Sequence, residues 1–232
     1  MIRTEVPNID HEKYIYQTDL KFGDDFCQRM LSLALESESN FVFRNNYENP
    51  LIDPFESYRK LGKEHSRLLI KRGRQVRETY KKQQPIQFNQ YFLKQKDSEE
   101  FLSIVPDFLK NIASNEPEPI FQISYDGDLL PPHKGHKRKS SLFMLLQGND
   151  EETRWYREIE PFEIISTYRI PDLDKIEHVV TAKIVPFKWY VFNHLEWHSV
   201  HRFGNSKRIS IGLDFNSITA EQLVEIIKRG SN

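Results

Sequence analysis

The residues able to do chemistry together lie in the second half of the chain. Pro131-Pro132-His133-Lys134-Gly135-His136-Lys137-Arg138-Lys139-Ser140-Ser141 leads into the apolar run Leu142-Phe143-Met144-Leu145-Leu146. Sixty-five residues after His133 stands His198, within Trp197-His198-Ser199-Val200, and ten residues beyond it comes Arg208, then Ile209 and Ser210. Two neutral imidazoles from separate strands can hold a borderline metal and leave several coordination positions open. An arginine at an inward-facing strand position offers a planar fork to a carboxylate. Ser210, two residues on, projects to the same face and can donate a second hydrogen bond. A co-substrate that chelates the metal at one end and meets Arg208 at the other would be a keto acid with a distal carboxylate.

The elements that must position these groups fall into two textures. Residues 1–115 read as mainly helical. Asp24 or Asp25 can cap a helix with Phe26, Met30 and Leu33 on one face. A long charged stretch runs from Phe55 to Lys82, and Ser98 can cap a third helix through Phe101, Leu102 and Val105. Pro106 then permits a fresh first turn. From Phe121 the pattern becomes period two and rich in β-branched and aromatic residues. The expected strands are Phe121–Tyr125, Ser140–Leu146, Phe162–Ile170, His178–Ile184, Lys188–Phe192 and Arg208–Phe215. Many short strands separated by turns argue for a sandwich or barrel. The chain then enters a final helix, with a Thr219/Gln222 capping box, an Ile218/Leu223 staple and Gly230 as its stop.

With order, spacing and β texture taken together, residues from about Phe121 to Phe215 resemble the Fe(II)/2-oxoglutarate-dependent oxygenases. That resemblance implies an α+β fold: a double-stranded β-helix (jelly-roll, cupin-like) over 116–217, buttressed by N-terminal helices and one C-terminal helix. It makes His133 the proximal and His198 the distal iron ligand, with Arg208 and Ser210 binding 2-oxoglutarate and dioxygen as the oxidant. The helical half, 1–115, lies outside the resemblance.

One position departs from the family pattern. Where a carboxylate ligand is expected two residues after the proximal histidine, this chain has Gly135. The loss removes a negative charge and suggests a methyl-sized vacancy beside the metal. Chloride could fill it, as in the halogenases that this pattern resembles, and then be transferred to a substrate carbon. Water could fill it instead, as in the aspartyl/asparaginyl β-hydroxylases. A third option recruits another side chain: His136 through a bulge, or Asp126 or Asp128. Halogenation is the leading expectation and hydroxylation the alternative, with a non-catalytic binding module as the competitor from another class.

Neighbouring residues carry smaller expectations. Tyr125, Arg138 and Asn193 are candidate pocket residues; Arg138 belongs to a cationic triplet of which one member should point inward and meet an anionic small molecule, an amino acid or a nucleotide. His194 is expected to be structural or substrate-facing, while His201 and Trp197 should face away from the site by strand parity. The basic run between Arg59 and Lys82 reads as a solvated helix face, so nucleic acid is not an expected partner. The net charge of −1 gives no global pull toward nucleic acid or anionic membranes. No apolar run approaches a membrane span, and the first residues lack a signal-peptide profile; a cytoplasmic location is the expectation. The single cysteine, Cys27, excludes an internal disulfide and reads as a core residue.

Overall fold

The computed structural model describes residues 1–38, 44–45, 62–80, 84–85, 88–92, 95–104, 107–113, 120–124, 128–135, 138–148, 151–165, 170–202 and 207–230. In chain order the strands are β1 (Ile2–Thr4), β2 (Ile15–Gln17), β3 (Arg44–Asn45), β4 (Gln84–Pro85), β5 (Phe88–Phe92), β6 (Ile120–Ser124), β7 (Asp128–His133), β8 (Ser140–Gln147), β9 (Glu151–Glu158), β10 (Ile176–Ala182), β11 (Trp189–Asn193), β12 (Trp197–Arg202) and β13 (Arg208–Phe215). The helices are α1 (Asp24–Glu38), α2 (Lys63–Thr79), α3 (Gln95–Ile104), α4 (Asp107–Ala113) and α5 (Ala220–Gly230).

The strands form two sheets, one in the order β1-β10-β9-β12-β7-β4 and the other β2-β11-β8-β13-β6-β5-β3. From β6 onward the pairings nest: β6 with β13, β7 with β12, β8 with β11, and β9 with β10, all antiparallel. A long hairpin folded over on itself in this way is a jelly roll, the double-stranded β-helix. Alternation along the strands sets the layers. Phe143, Leu145, Trp155, Val180, Tyr190 and Phe192 fill the space between the sheets. Leu142, Met144, Val191, Ile211 and Leu213 point the other way and pack beneath Met30 and Ala34 of α1, Phe101 of α3, Leu109 of α4 and Leu223 and Ile227 of α5. Both faces of β8 are therefore buried, which explains its unbroken apolar run.

Several expectations need correction. The first half, expected to be mainly helical, carries α1–α4 and also short strands among its described residues: β1 and β2 extend the two sheets beside β10 and β11, and β3, β4 and β5 also come from it. Their few residues give no readable alternation. The stretch expected as a strand over Phe162–Ile170 forms none among its described residues, 162–165 and 170. Instead, Phe162 packs its ring on Trp197 at 5.5 Å, and Glu163 O and Ile170 O accept from Arg72 Nη1. Arg72 is thus buried beneath its own helix, an exception to the solvated reading of that basic run. Ser98 lies inside α3, not at its start, and is buried. Asp24 opens the first turn of α1, after Gly23 whose carbonyl accepts from Phe26 and Cys27. At the C-terminus, Thr219 N donates to Gln222 Oε1 at 2.9 Å and Gln222 N to Thr219 Oγ1 at 3.3 Å, the reciprocal capping box. Gly230 is the last helical residue, and its lack of a side chain admits the Phe108 ring, which a Cβ would meet at 2.7 Å. No described helix is long and apolar enough to cross a membrane.

Candidate functional site

His133 ends β7 and His198 is the second residue of β12; the two are Cα partners in the antiparallel ladder, with ring centroids 4.2 Å apart. The register slips between His198 and Val200, a bulge immediately beside the pair, of the kind that re-aims a side chain. Each ring is oriented by a backbone carbonyl two residues earlier: His133 Nδ1 donates to Pro131 O at 2.9 Å, and His198 Nδ1 to Glu196 O at 2.8 Å. A carbonyl can only accept, so both Nδ1 atoms carry the proton. Burial pushes the His133 pKa down to about 4 and that of His198 well below its ordinary value. Both imidazoles are therefore neutral with the lone pair on Nε2, the form a metal binds, held by the outer hydrogen bond that usually accompanies such ligands.

These two residues line one pocket with Arg138, Ser141, His194, Arg208, Ser210 and Asp214, walled by Phe143, Phe192, Leu130 and Val200. The cavity they line is small, about 60 Å³, and opens to solvent. Arg208 and Ser210 enter from β13, across the sandwich from the histidines, and a second register slip falls between Ile209 and Ser210. Arg208 Nη1 donates to Ser210 Oγ at 2.9 Å, and Arg208 Nε donates to the buried carboxylate of Glu151. Glu151 was not singled out in the sequence. It sits in Glu151-Glu152-Thr153-Arg154, whose charges disguise a strand that in fact has three buried residues at its start.

The other candidates fall differently. Gly135 N donates to His194 O at 2.7 Å. A Cβ on Gly135 would lie 2.5 Å from Arg138 O and 2.9 Å from His194 Cβ. A methyl group does not fit here: the space along this residue's side-chain direction is filled by backbone and by His194. Arg138 does point into the pocket, where its Nη1 donates to Asp214 Oδ2 at 2.7 Å. Asn193 is buried but does not line the pocket; its amide donates to Lys13 O at 2.9 Å and accepts from Leu195 N at 2.9 Å, which braces the turn before β12. His194 lies beside the pair, 5.3 Å from the His198 ring, stacked on Phe192 at 4.6 Å and bonded through Nε2 to Ser141 Oγ at 2.9 Å. His201 and Trp197 face away as parity requires, His201 toward Ser199 Oγ and the Tyr80 ring, Trp197 toward Glu158. Tyr125, Asp126 and His136 lie outside the described residues, as does the side chain of Asp128. Among the described residues no set of three or more His, Cys, Asp or Glu side chains is placed to share a metal ion; there, His133 and His198 are the facing pair of donors.

No family model matches the chain, and no curated protein does. Among solved structures, a Pseudomonas putida prolyl-4-hydroxylase aligns over 90% of this chain and 96% of its own, at 9% identity and a TM-score of 0.44. Escherichia coli YcfD aligns over 55% of this chain at 13% identity and a TM-score of 0.36, and a vicilin from Capsicum annuum over 57% at 12% and 0.35. The chain spans only 33% and 29% of the lengths of those last two. With identities near one in ten and scores below 0.5, these likenesses assign no residue a role.

Proposed function

We propose that the chain is a non-haem Fe(II) oxygenase that uses a 2-oxo acid, 2-oxoglutarate, and dioxygen to hydroxylate an unactivated carbon of a small molecule. One observation carries this reading: two neutral histidines, each fixed by a backbone carbonyl in the tautomer that offers Nε2, share a pocket with an arginine–serine pair on the opposite sheet. The residues fit the metal. His133 and His198 would hold it and leave room for a chelating co-substrate, and imidazole suits iron. When bound, Fe(II) supplies the oxygen activation that no side chain can. The protein's own part is to orient and exclude water. Arg208 and Ser210 receive the distal end of the co-substrate, Phe143, Phe192 and Val200 keep the reacting carbon dry, and Arg138 with Asp214 offers one cation and one anion side by side. A matched pair of that kind suits a zwitterion, so an amino acid fits this wall better than a nucleotide.

Hydroxylation is favoured over halogenation on two grounds. Gly135 keeps no open space along its side-chain direction. The negative charge that a ligand carboxylate would bring is present in another place, on Glu151. The test is an anaerobic titration with Fe(II) and 2-oxoglutarate, with and without chloride, following the visible metal-to-ligand charge-transfer band. The expected result is a band that chloride leaves unmoved. A chloride-dependent shift would restore the halogenase reading, and no band at all would leave a β-helix binding module.

A further inference from the structure

Glu151 begins β9 and is only 2% exposed. Its Oε2 accepts from Arg208 Nε, while its Oε1 is buried and has no hydrogen-bond partner among the described residues. The guanidinium that would receive a ligand carboxylate is therefore already neutralised along one edge by an internal carboxylate. That carboxylate is in turn one donor short. The other cation of the pocket, Arg138, is matched in the same way by Asp214. From this geometry we infer that Glu151 is a specificity-determining residue: through its charge it weakens the hold of Arg208 on a distal ligand carboxylate. The inference rests on the keto-acid reading above.

The physical argument is one of like charges in a dry place. A second carboxylate brought to the Nη edge of Arg208 lies close to Glu151, where little water screens the repulsion. Without Glu151 the buried guanidinium would lack a counter-ion, and the ligand would become it. A ligand ending in a carboxamide escapes the repulsion, since its carbonyl accepts from Arg208 while its N–H can donate to Oε1. Glu151 thus narrows the preference for a diacid over its half-amide, and sets how much 2-oxoglutarate is needed to fill the site.

Calorimetry on the Mn(II)-loaded protein tests this without turnover, using 2-oxoglutarate and its distal amide, 2-oxoglutaramate. Glu151→Gln is expected to bind 2-oxoglutarate about tenfold or more tighter than the wild type, and the amide within about threefold of it. Glu151→Asp, which keeps the charge, is expected to stay near the wild type. Equal or weaker binding of 2-oxoglutarate by a folded Glu151→Gln overturns the inference and makes the pair a structural brace. Should that variant not fold, the wild type decides alone: a preference for the diacid above about a hundredfold overturns the inference, and one within about tenfold upholds it. If Mn(II) binds but neither acid binds any variant, the keto-acid reading itself fails and takes this inference with it.

Discussion

A two-histidine donor set makes heavy demands on how each ring is held. Pro131 O and Glu196 O meet that demand by fixing Nδ1 as the protonated atom. His194, by contrast, is tied through Nε2 to Ser141 and stacked on Phe192. Substituting His198 by Gln is therefore expected to lower Co(II) or Fe(II) affinity by about two orders of magnitude or more, whereas His194→Gln leaves the metal stoichiometry at that of the wild type. Metal titration of the two purified variants checks both, and equal losses would make His194 a third ligand. Gly135 offers a second test at this scale. An added methyl group meets Arg138 O and His194 Cβ, neither of which can rotate aside. Gly135→Ala should cost about 1–3 kcal/mol in urea unfolding. A variant as stable as the wild type would mean that the loop yields and that the glycine is there for chemistry.

At the scale of elements, the sequence was legible where a pattern lasts several residues and has one cause. The β8 run, the β13 strand and the α5 capping box all follow from local patterning. The Thr219→Ala substitution should cost about 1 kcal/mol, read from the thermal or urea midpoint; an unchanged midpoint would show that α5 is held by its packing alone. β9 was missed because its buried Glu151 and Glu152 look like a solvated segment until their partners Arg208 and Arg154 are in place. β1 and β2 were missed because three residues carry no period; they exist because β10 and β11 offer edges to pair with. The site follows the same division. His133, His198, Arg208 and Ser210 could be picked out by type and spacing, and they do line one pocket. Glu151 could not, because its meaning lies in a contact 57 residues away in sequence. Strand order suggests Asn193 as a pocket residue, but at the end of β11 its side chain bonds to Lys13 O and Leu195 N, while its neighbour Phe192 lines the pocket.

For the whole molecule, the shared consequence of burying so many imidazoles is acid sensitivity. Burial lowers the His133 pKa to about 4 and that of His201 to about 3, and puts His194 and His198 well below their ordinary value. In the unfolded chain each titrates near ~6.5. Below that pH the unfolded state binds protons that the folded state refuses, so stability is greatest above about 6.5 and is lost as the pH falls toward the folded values. Each such histidine contributes a slope of up to about 1.4 kcal/mol per pH unit. Chelator-treated protein separates this effect from metal binding, which also needs the neutral rings. His201 is the informative one to remove, since it packs against Tyr80 and Ser199 on the outer face of its sheet, away from the pocket. In His201→Phe the unfolding free energy measured between pH 6 and 4.5 should fall more shallowly than in the wild type, by about one histidine's share. A slope equal to that of the wild type would mean that His201 accepts its proton in the folded protein, and that the acid sensitivity belongs to the pocket histidines alone.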